Sequence, residues 1–358
     1  MKKIIYTFLL MPALVISAAA QDVQFSFPEF APLSLNPALA GANYAMEGIV
    51  NYRNQWSSLG DPYRTTAASF HTRLKGSNKR KTNQLAAGLQ LMNDKAGSSA
   101  ITNNSVALSI ANHVSLSRNS RIGAGLNFGY VQRSIGNPNG QWASQYDGAA
   151  YNGGLASGES LNNPSFGYFD MGAGILYTYE HRQSTLAKNH DKLLNAGVAV
   201  YHVNRPNNSF VAPGEDRLPV RYSAFANGEF AISSTNLSVL PGVWYNRQGI
   251  FSQLLVGTSL KFLLIGDTRY TGFTKPLALS MGLFGRLNDA AILRFNLDWD
   301  RYSFGYAFDF NTSGLNDYTG GRGAQEVFLR FFLNENRPMR SGGRYASVEK
   351  DDHQISNF

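Results

Sequence analysis

Arg301 to Phe310 reads Arg-Tyr-Ser-Phe-Gly-Tyr-Ala-Phe-Asp-Phe. Tyr302, Phe304, Tyr306, Phe308 and Phe310 fall on one face of an extended chain, and Ser303, Gly305, Ala307 and Asp309 on the other, because successive side chains of a strand point to opposite sides. A soluble sandwich alternates too, but five large aromatics opposite small and polar residues suit a lipid-facing exterior and a hydrated lumen. The same pattern recurs where Ile122, Ala124, Leu126, Phe128 and Tyr130 alternate with Gly123, Gly125, Asn127 and Gly129, and again from Leu277 to Leu283 and from Met171 to Tyr179. Arg294 and Asp298 alternate with Leu293, Phe295, Leu297 and Trp299, and Lys261 stands between Leu260 and Phe262. A water-containing lumen would keep such charges solvated or paired across the barrel, avoiding the cost of a lone buried charge. The chain therefore reads as all-β, a transmembrane antiparallel β-barrel of the outer membrane. Phe304→Arg should impair folding of such a barrel, whereas Gly305→Ser, on the lumen side, should be mild.

Extending the alternation along the chain predicts strands near residues 44–56, 63–75, 84–93, 100–117, 121–136, 166–181, 193–204, 217–232, 236–247, 250–264, 275–286, 290–298, 300–310 and 323–333. The count is fourteen, with twelve as the alternative. An even number places both termini on one side, the periplasmic one for a chain delivered by a signal peptide. The Gly-, Asn- and Ser-rich stretch from Asn137 to Pro164, with Asn204 to Asp216 and Asn311 to Arg322, then forms external loops. Two opposite connections, His181 to Lys192 and Gly266 to Lys275, are longer than periplasmic turns usually are, which marks either docking positions for a periplasmic partner or a miscounted strand.

The amino terminus sets the compartment. Lys2 and Lys3 precede an apolar run from Ile4 to Ile16 and then Ser17-Ala18-Ala19-Ala20-Gln21, the order of a secretory signal with cleavage after Ala20. No cysteine follows, so this is not a lipoprotein signal, and no later stretch has the roughly 18 apolar residues of a helical span. The expected organisation is a signal peptide at 1–20, a periplasmic N-terminal segment at 21–42, the barrel at 43–333 and a polar periplasmic tail at 334–358. On composition the 21–42 segment, with Phe25, Phe27, Phe30, Leu33 and Leu35, reads equally as a plug in the barrel mouth or a disordered leader.

Across 358 residues, charged side chains make up 16% and aromatics 13%, with a net charge of +8 and no cysteine. That profile argues against disorder, and it excludes disulfides, thiolate metal sites and a cysteine nucleophile. No long cationic block points to nucleic acid. Lys79, Arg80 and Lys81 read as a solvated turn, and Trp56, Trp142, Trp244 and Trp299 as interfacial girdles or core. His71, His113, His181, His190, His202 and His353 show no close metal-ligand spacing. His113 with Ser115 on one strand face lacks a nucleophile elbow, so a barrel hydrolase is a remote reading. Gly123-x-Gly125 and Gly172-x-Gly174 lie inside strands and are not dinucleotide loops.

Ahead of the first strand stand Phe25-Ser26-Phe27 and Pro32-Leu33-Ser34-Leu35-Asn36-Pro37-Ala38-Leu39-Ala40-Gly41, then Tyr52-Arg53-Asn54-Gln55-Trp56 and Ser69-Phe70-His71. Near the other end stand Tyr306 to Leu315, Tyr318-Thr319-Gly320-Gly321 and Glu326 to Phe331, with Leu194 to His202 and Leu218 to Tyr222 between. This succession resembles the PorP/SprF family of outer-membrane proteins, associated with type IX secretion and gliding in Bacteroidetes. The opening departs from the family at Pro28 and Glu29, and the chain runs on past the last strand from Asn334 to Phe358.

The resemblance favours an ordered N-terminal segment and marks Asn36, Pro37, Gly41, Arg53, Trp56, Asp309, Gly314, Gly320 and Gly321 as motif residues. It implies a nonenzymatic, cofactor-free component that helps export or attach particular client proteins or adhesins. Its expected partners are periplasmic and outer-membrane secretion or gliding components, the client, and outer-membrane lipid, but not nucleic acid. The alternative is an outer-membrane channel for small solutes.

Overall fold

In the computed structural model the described residues are 22–59, 61–74, 83–97, 100–136, 143–156, 165–181, 184–185, 188–189, 192–210, 216–266, 275–314 and 316–333. The strands are β1 (Met46–Gln55), β2 (Tyr63–Arg73), β3 (Asn83–Ala96), β4 (Ile101–Ser115), β5 (Ser120–Ile135), β6 (Ser165–His181), β7 (Ser184–Thr185), β8 (Lys188–Asn189), β9 (Lys192–Tyr201), β10 (Arg221–Ala231), β11 (Leu237–Gln248), β12 (Phe251–Ile265), β13 (Leu277–Arg286), β14 (Ala290–Trp299), β15 (Tyr302–Asn311) and β16 (Arg322–Leu333). Among the described residues fourteen of them form one closed antiparallel barrel, while β7 and β8 pair with each other in the connection from β6 to β9. Closure runs from Met46 opposite Leu333 to Gln55 opposite Ala324, which leaves no unpaired edge where lipid could not satisfy it.

The two faces follow the alternation. Phe304 is 51% and Leu283 66% exposed on the outside, while Ser303, Ala307, Asp309 and Glu326 are buried within. Such extensive apolar exposure is unlike the surface of a soluble monomer and matches a lipid-facing wall. Trp299 joins that outer wall, but Trp244 points inward and is buried. Trp142 falls outside the described residues, as do residues 1–20 and 334–358, Lys79 to Lys81, His190, His353 and parts of the predicted loops.

The lumen is not simply hydrated: residues 22–42 fill it. Three short turns, Pro28–Phe30, Pro32–Leu35 and Pro37–Leu39, each begin with proline, whose missing N–H costs nothing at a first helical position. Phe27, Leu35 and Leu39 of this segment pack with Phe225, Trp244, Phe284 and Phe328 of the wall into the main apolar core. Of the charges that alternation assigned to the lumen, Arg294 is dry at 2% exposed, whereas Lys261 and Asp298 are half-buried and pair at 3.6 Å.

The segment has a direction. The Asp22 amide donates to Gln248 at the last residue of β11, whereas Arg73, the last residue of β2, donates to the carbonyls of Gly41 and Ala42. Antiparallel order puts Gln248 at the end of the barrel away from Met46 and Leu333, and Arg73 at the end beside them. We call these the far and near ends. The chain therefore threads the whole lumen from far to near before β1 begins. Met46 and Leu333 share the near end, as an even strand count requires, but Asp22 does not.

Candidate functional site

The threaded segment is held at four levels, each by lumen-facing side chains. At the far mouth the Asp22 carboxylate lies 2.8 Å from His202 Nε2 and 3.0 Å from Arg221, and His202 Nδ1 lies 2.8 Å from Asp170. His202 stands one residue beyond β9. Burial alone would push its imidazolium pKa down, but Asp22 and Asp170 outweigh burial and hold it up at about 9. Burial would likewise raise the Asp22 carboxyl, yet His202 and Arg221 hold it well below the usual carboxylate range.

One level in, the wall supplies a compact charge cluster. Glu326 accepts the backbone amides of Ser26 at 2.6 Å and Phe27 at 3.0 Å, and Asp309 accepts the Ser26 hydroxyl at 2.6 Å. Arg53 bridges Asp309 at 3.0 Å and Glu326 at 3.2 Å, and Arg286 reaches Asp309 at 2.9 Å and Asp289 at 3.2 Å. Arg53 also donates to the Ser26 hydroxyl. Two carboxylates and two guanidiniums thus neutralise one another around an extended stretch of main chain that has no strand partner, satisfying backbone donors that burial would otherwise orphan. Beside them Arg294 pairs with Glu29 at 3.0 Å and lies over the Phe284 ring at 3.5 Å, a cation–π contact in a dry site.

At mid-lumen Asn36 is the hub. Its Nδ2 donates to the carbonyls of Ile175 and Val198 at 3.0 and 3.1 Å, and its Oδ1 accepts the Ala38 amide at 2.8 Å. Pro37 follows at the first position of its turn and is buried. Asn36 and Pro37 rest on a floor of wall glycines: a Cβ on Gly174 would lie 2.1 Å from Asn36 Oδ1, and one on Gly125 would lie 2.5 Å from the Ala38 nitrogen. Tyr201 donates to the Leu33 carbonyl at 2.7 Å, Arg221 to the Ser34 carbonyl at 2.9 Å, and His113 Nε2 lies 2.8 Å from the Ala40 carbonyl. At the near end Gly41 takes a left-handed φ of 65°, its amide donates to His71 Nδ1 at 3.1 Å, and its Cβ position would fall 2.5 Å from that of Ala86. Glycine is required there on both counts.

Residues 17–331 match the family model described as Type IX secretion system membrane protein PorP/SprF. The chain belongs to the PorP/SprF family. Comparison with curated proteins gives no match. Among solved structures, the chain is similar to BamA from Haemophilus ducreyi lacking POTRA domains 1–3, at 8% identity over 81% of this chain and 71% of that one, with a TM-score of 0.41. It is also similar to the Ralstonia pickettii toluene transporter TbuX, at 10% identity over 85% and 94% of the two chains and a TM-score of 0.43. The translocator domain of autotransporter NalP from Neisseria meningitidis shares 9% identity over 86% and 96%, with a TM-score of 0.33.

In this PorP/SprF barrel the motif residues part into two groups. Asn36, Pro37, Gly41, Arg53 and Asp309 all act on the threaded segment. Trp56, Gly314, Gly320 and Gly321 do not touch it. Trp56 follows the last residue of β1 with φ 57° and packs edge-to-face on Tyr63. Gly320 and Gly321 supply φ values of 58° and 81° to the turn before β16, and Gly314 lies in the same connection with open space around it. Ser26, Glu326, Arg286, His202, Asp170 and Arg221 complete the site without having been singled out for it. Strand parity alone places Glu326 and Arg286 in the lumen. Their partners stand 300 and 260 residues away, which no local pattern encodes.

Several cavities flank the seated segment, among them one of about 90 Å³ beside Phe27 and Phe30. One of about 120 Å³ at the far side borders Asp22, Asp94, Arg133 and Asp170, and one of about 140 Å³ toward the near end borders Tyr44, Glu47, Lys261 and Arg330. Between them Leu33, Asn36, Ala38 and Ala40 are fully buried. Among the described residues, no group of three or more histidine and acidic side chains is arranged to hold a metal ion.

Proposed function

We propose that this outer-membrane β-barrel is a nonenzymatic member of the type IX secretion apparatus that assists export or surface attachment of particular client proteins, in secretion, gliding or both. In this reading the near end, with Met46 and Leu333, faces the periplasm and its secretion or gliding components, and the far mouth faces outward. The observation that carries it is the lumen of a PorP/SprF barrel occupied end to end by the chain's own segment, with a fully buried waist at Leu33, Asn36, Ala38 and Ala40. A channel for small solutes needs a wetted path, and separate cavities on either side of a dry waist favour a scaffold instead.

Deletion of the protein tests this. A specific surface or secreted protein should become missing, retained or unprocessed while uptake of small solutes stays unchanged. A solute-uptake defect with an intact surface proteome would replace the secretion role with a channel and leave the barrel as it stands.

A further inference from the structure

The outer wall carries a charged cleft at the far rim that neither the threaded segment nor the strand ladder uses. It has a volume of about 320 Å³ and is lined by Arg205, Pro219, Val220, Tyr222, Arg247 and Gly249. Tyr222 and Arg247 stand directly opposite each other in the β10–β11 ladder, and both point outward and are exposed. Arg205 reaches the cleft from the turn after β9, which is closed by its amide donating to the His202 carbonyl at 3.0 Å. Neither guanidinium has a carboxylate partner among the described residues. Beyond the cleft, on the membrane side, the exposed wall turns apolar through Tyr222, Val198, Val243 and Tyr245.

We propose that this cleft binds the phosphate headgroup of a membrane lipid, with its acyl chains lying along that apolar wall. The inference rests on the barrel's placement in an outer membrane. Two unpaired guanidiniums at one level offer forked donors that fit phosphate oxygens, and Arg is the residue suited to that geometry. Their position at the far end of the apolar wall, where the strands give way to turns, suits a headgroup, and an aromatic ring beside them is the usual interfacial companion. A soluble anion would gain nothing from the apolar lane below, so the occupant is an amphiphile.

The test is native mass spectrometry of the detergent-solubilised full chain with diphosphorylated lipid A, with phosphatidylethanolamine and with inorganic phosphate. Lipid A should form a discrete adduct. Arg205→Gln with Arg247→Gln should weaken it by about thirtyfold, from two cationic contacts at a lipid surface. The exterior pair Arg64 and Lys95, opposite each other in the β2–β3 ladder, serves as comparison, and its double Gln variant should retain the adduct. Equal loss in both variants would reduce the effect to general electrostatic attraction and overturn the site. Displacement of the lipid by excess inorganic phosphate would make it a bare anion site and overturn the lipid assignment. Membrane flotation of the same variants separates the two levels: a barrel that no longer floats with membranes indicts the placement, whereas one that floats without the adduct indicts the cleft.

Discussion

Gly125→Ala should unseat the middle of the threaded segment without harming the barrel, and Gly129→Ala should do neither. Both glycines lie on the lumen face of β5, so the change in strand propensity is the same. A Cβ on Gly125 would fall 2.5 Å from the Ala38 nitrogen and 2.6 Å from the Pro37 carbonyl carbon, while one on Gly129 would meet nothing nearer than 3.5 Å. The atoms in the way at Gly125 are main chain, and they cannot swing aside because Asn36 fixes them through three hydrogen bonds. Overpacking of this kind costs about 1 to 3 kcal/mol, and each Asn36 bond lost in escaping the clash adds about 1 kcal/mol. The seated-to-open ratio of residues 33–40 should therefore fall by at least about tenfold. Hydrogen exchange of those amides reads the ratio, and heat-modifiable migration in gels shows that the barrel persists. Equal protection of the segment in the two variants would refute the close seating of Asn36 to Ala38 on the glycine floor.

Other outcomes follow from the same geometry. His202 binds its proton more tightly in the folded chain, so its contribution is complete below about pH 6.5, fades as pH rises through about 9 and amounts to about 3 kcal/mol. Asp22, shifted the other way, contributes above about pH 4 and loses its contribution only on acidification. A spin label at Val23→Cys should therefore gain mobility between pH 7 and 10, and the step should vanish in His202→Gln. A flat profile would remove the far-mouth clamp. Because the chain has no cysteine, single cysteines at Val23 and at exposed Leu116, in the near-end turn after β4, report orientation. An impermeant maleimide should label the first on intact cells and the second only after the outer membrane is opened, and the opposite result would invert the barrel. Phe304→Arg places a charge on the lipid face at a cost of about 2 to 4 kcal/mol, so the heat-modifiable band should weaken. Gly305→Ser, expected to be mild from its lumen parity, should not be: its Cβ would lie 2.0 Å from the Phe328 ring, which is stacked on Phe30.

The barrel itself is written in the sequence. Period two is a local property of each strand, so Tyr302 to Phe310 declares its own two faces, and the β16 partners of Phe304 and Asp309 merely confirm them. Strand number and closure follow from adding such segments, because lipid tolerates no open edge. The contents of the lumen are of another kind. Composition left residues 21–42 divided between plug and leader, since Phe25 to Leu39 has no period to obey. Its path is fixed by Glu326 and Asp309 receiving Ser26, by Gly125 and Gly174 leaving room for Asn36, and by Gln248 meeting Asp22. These contacts join residues up to 300 apart. They exist only once the wall has closed and brought one face of every strand around the same axis. For that reason tertiary structure alone decided that Asp22 lies at the end opposite Leu333 and that Arg53, Arg286, Asp309 and Glu326 on the lumen face are dry and paired.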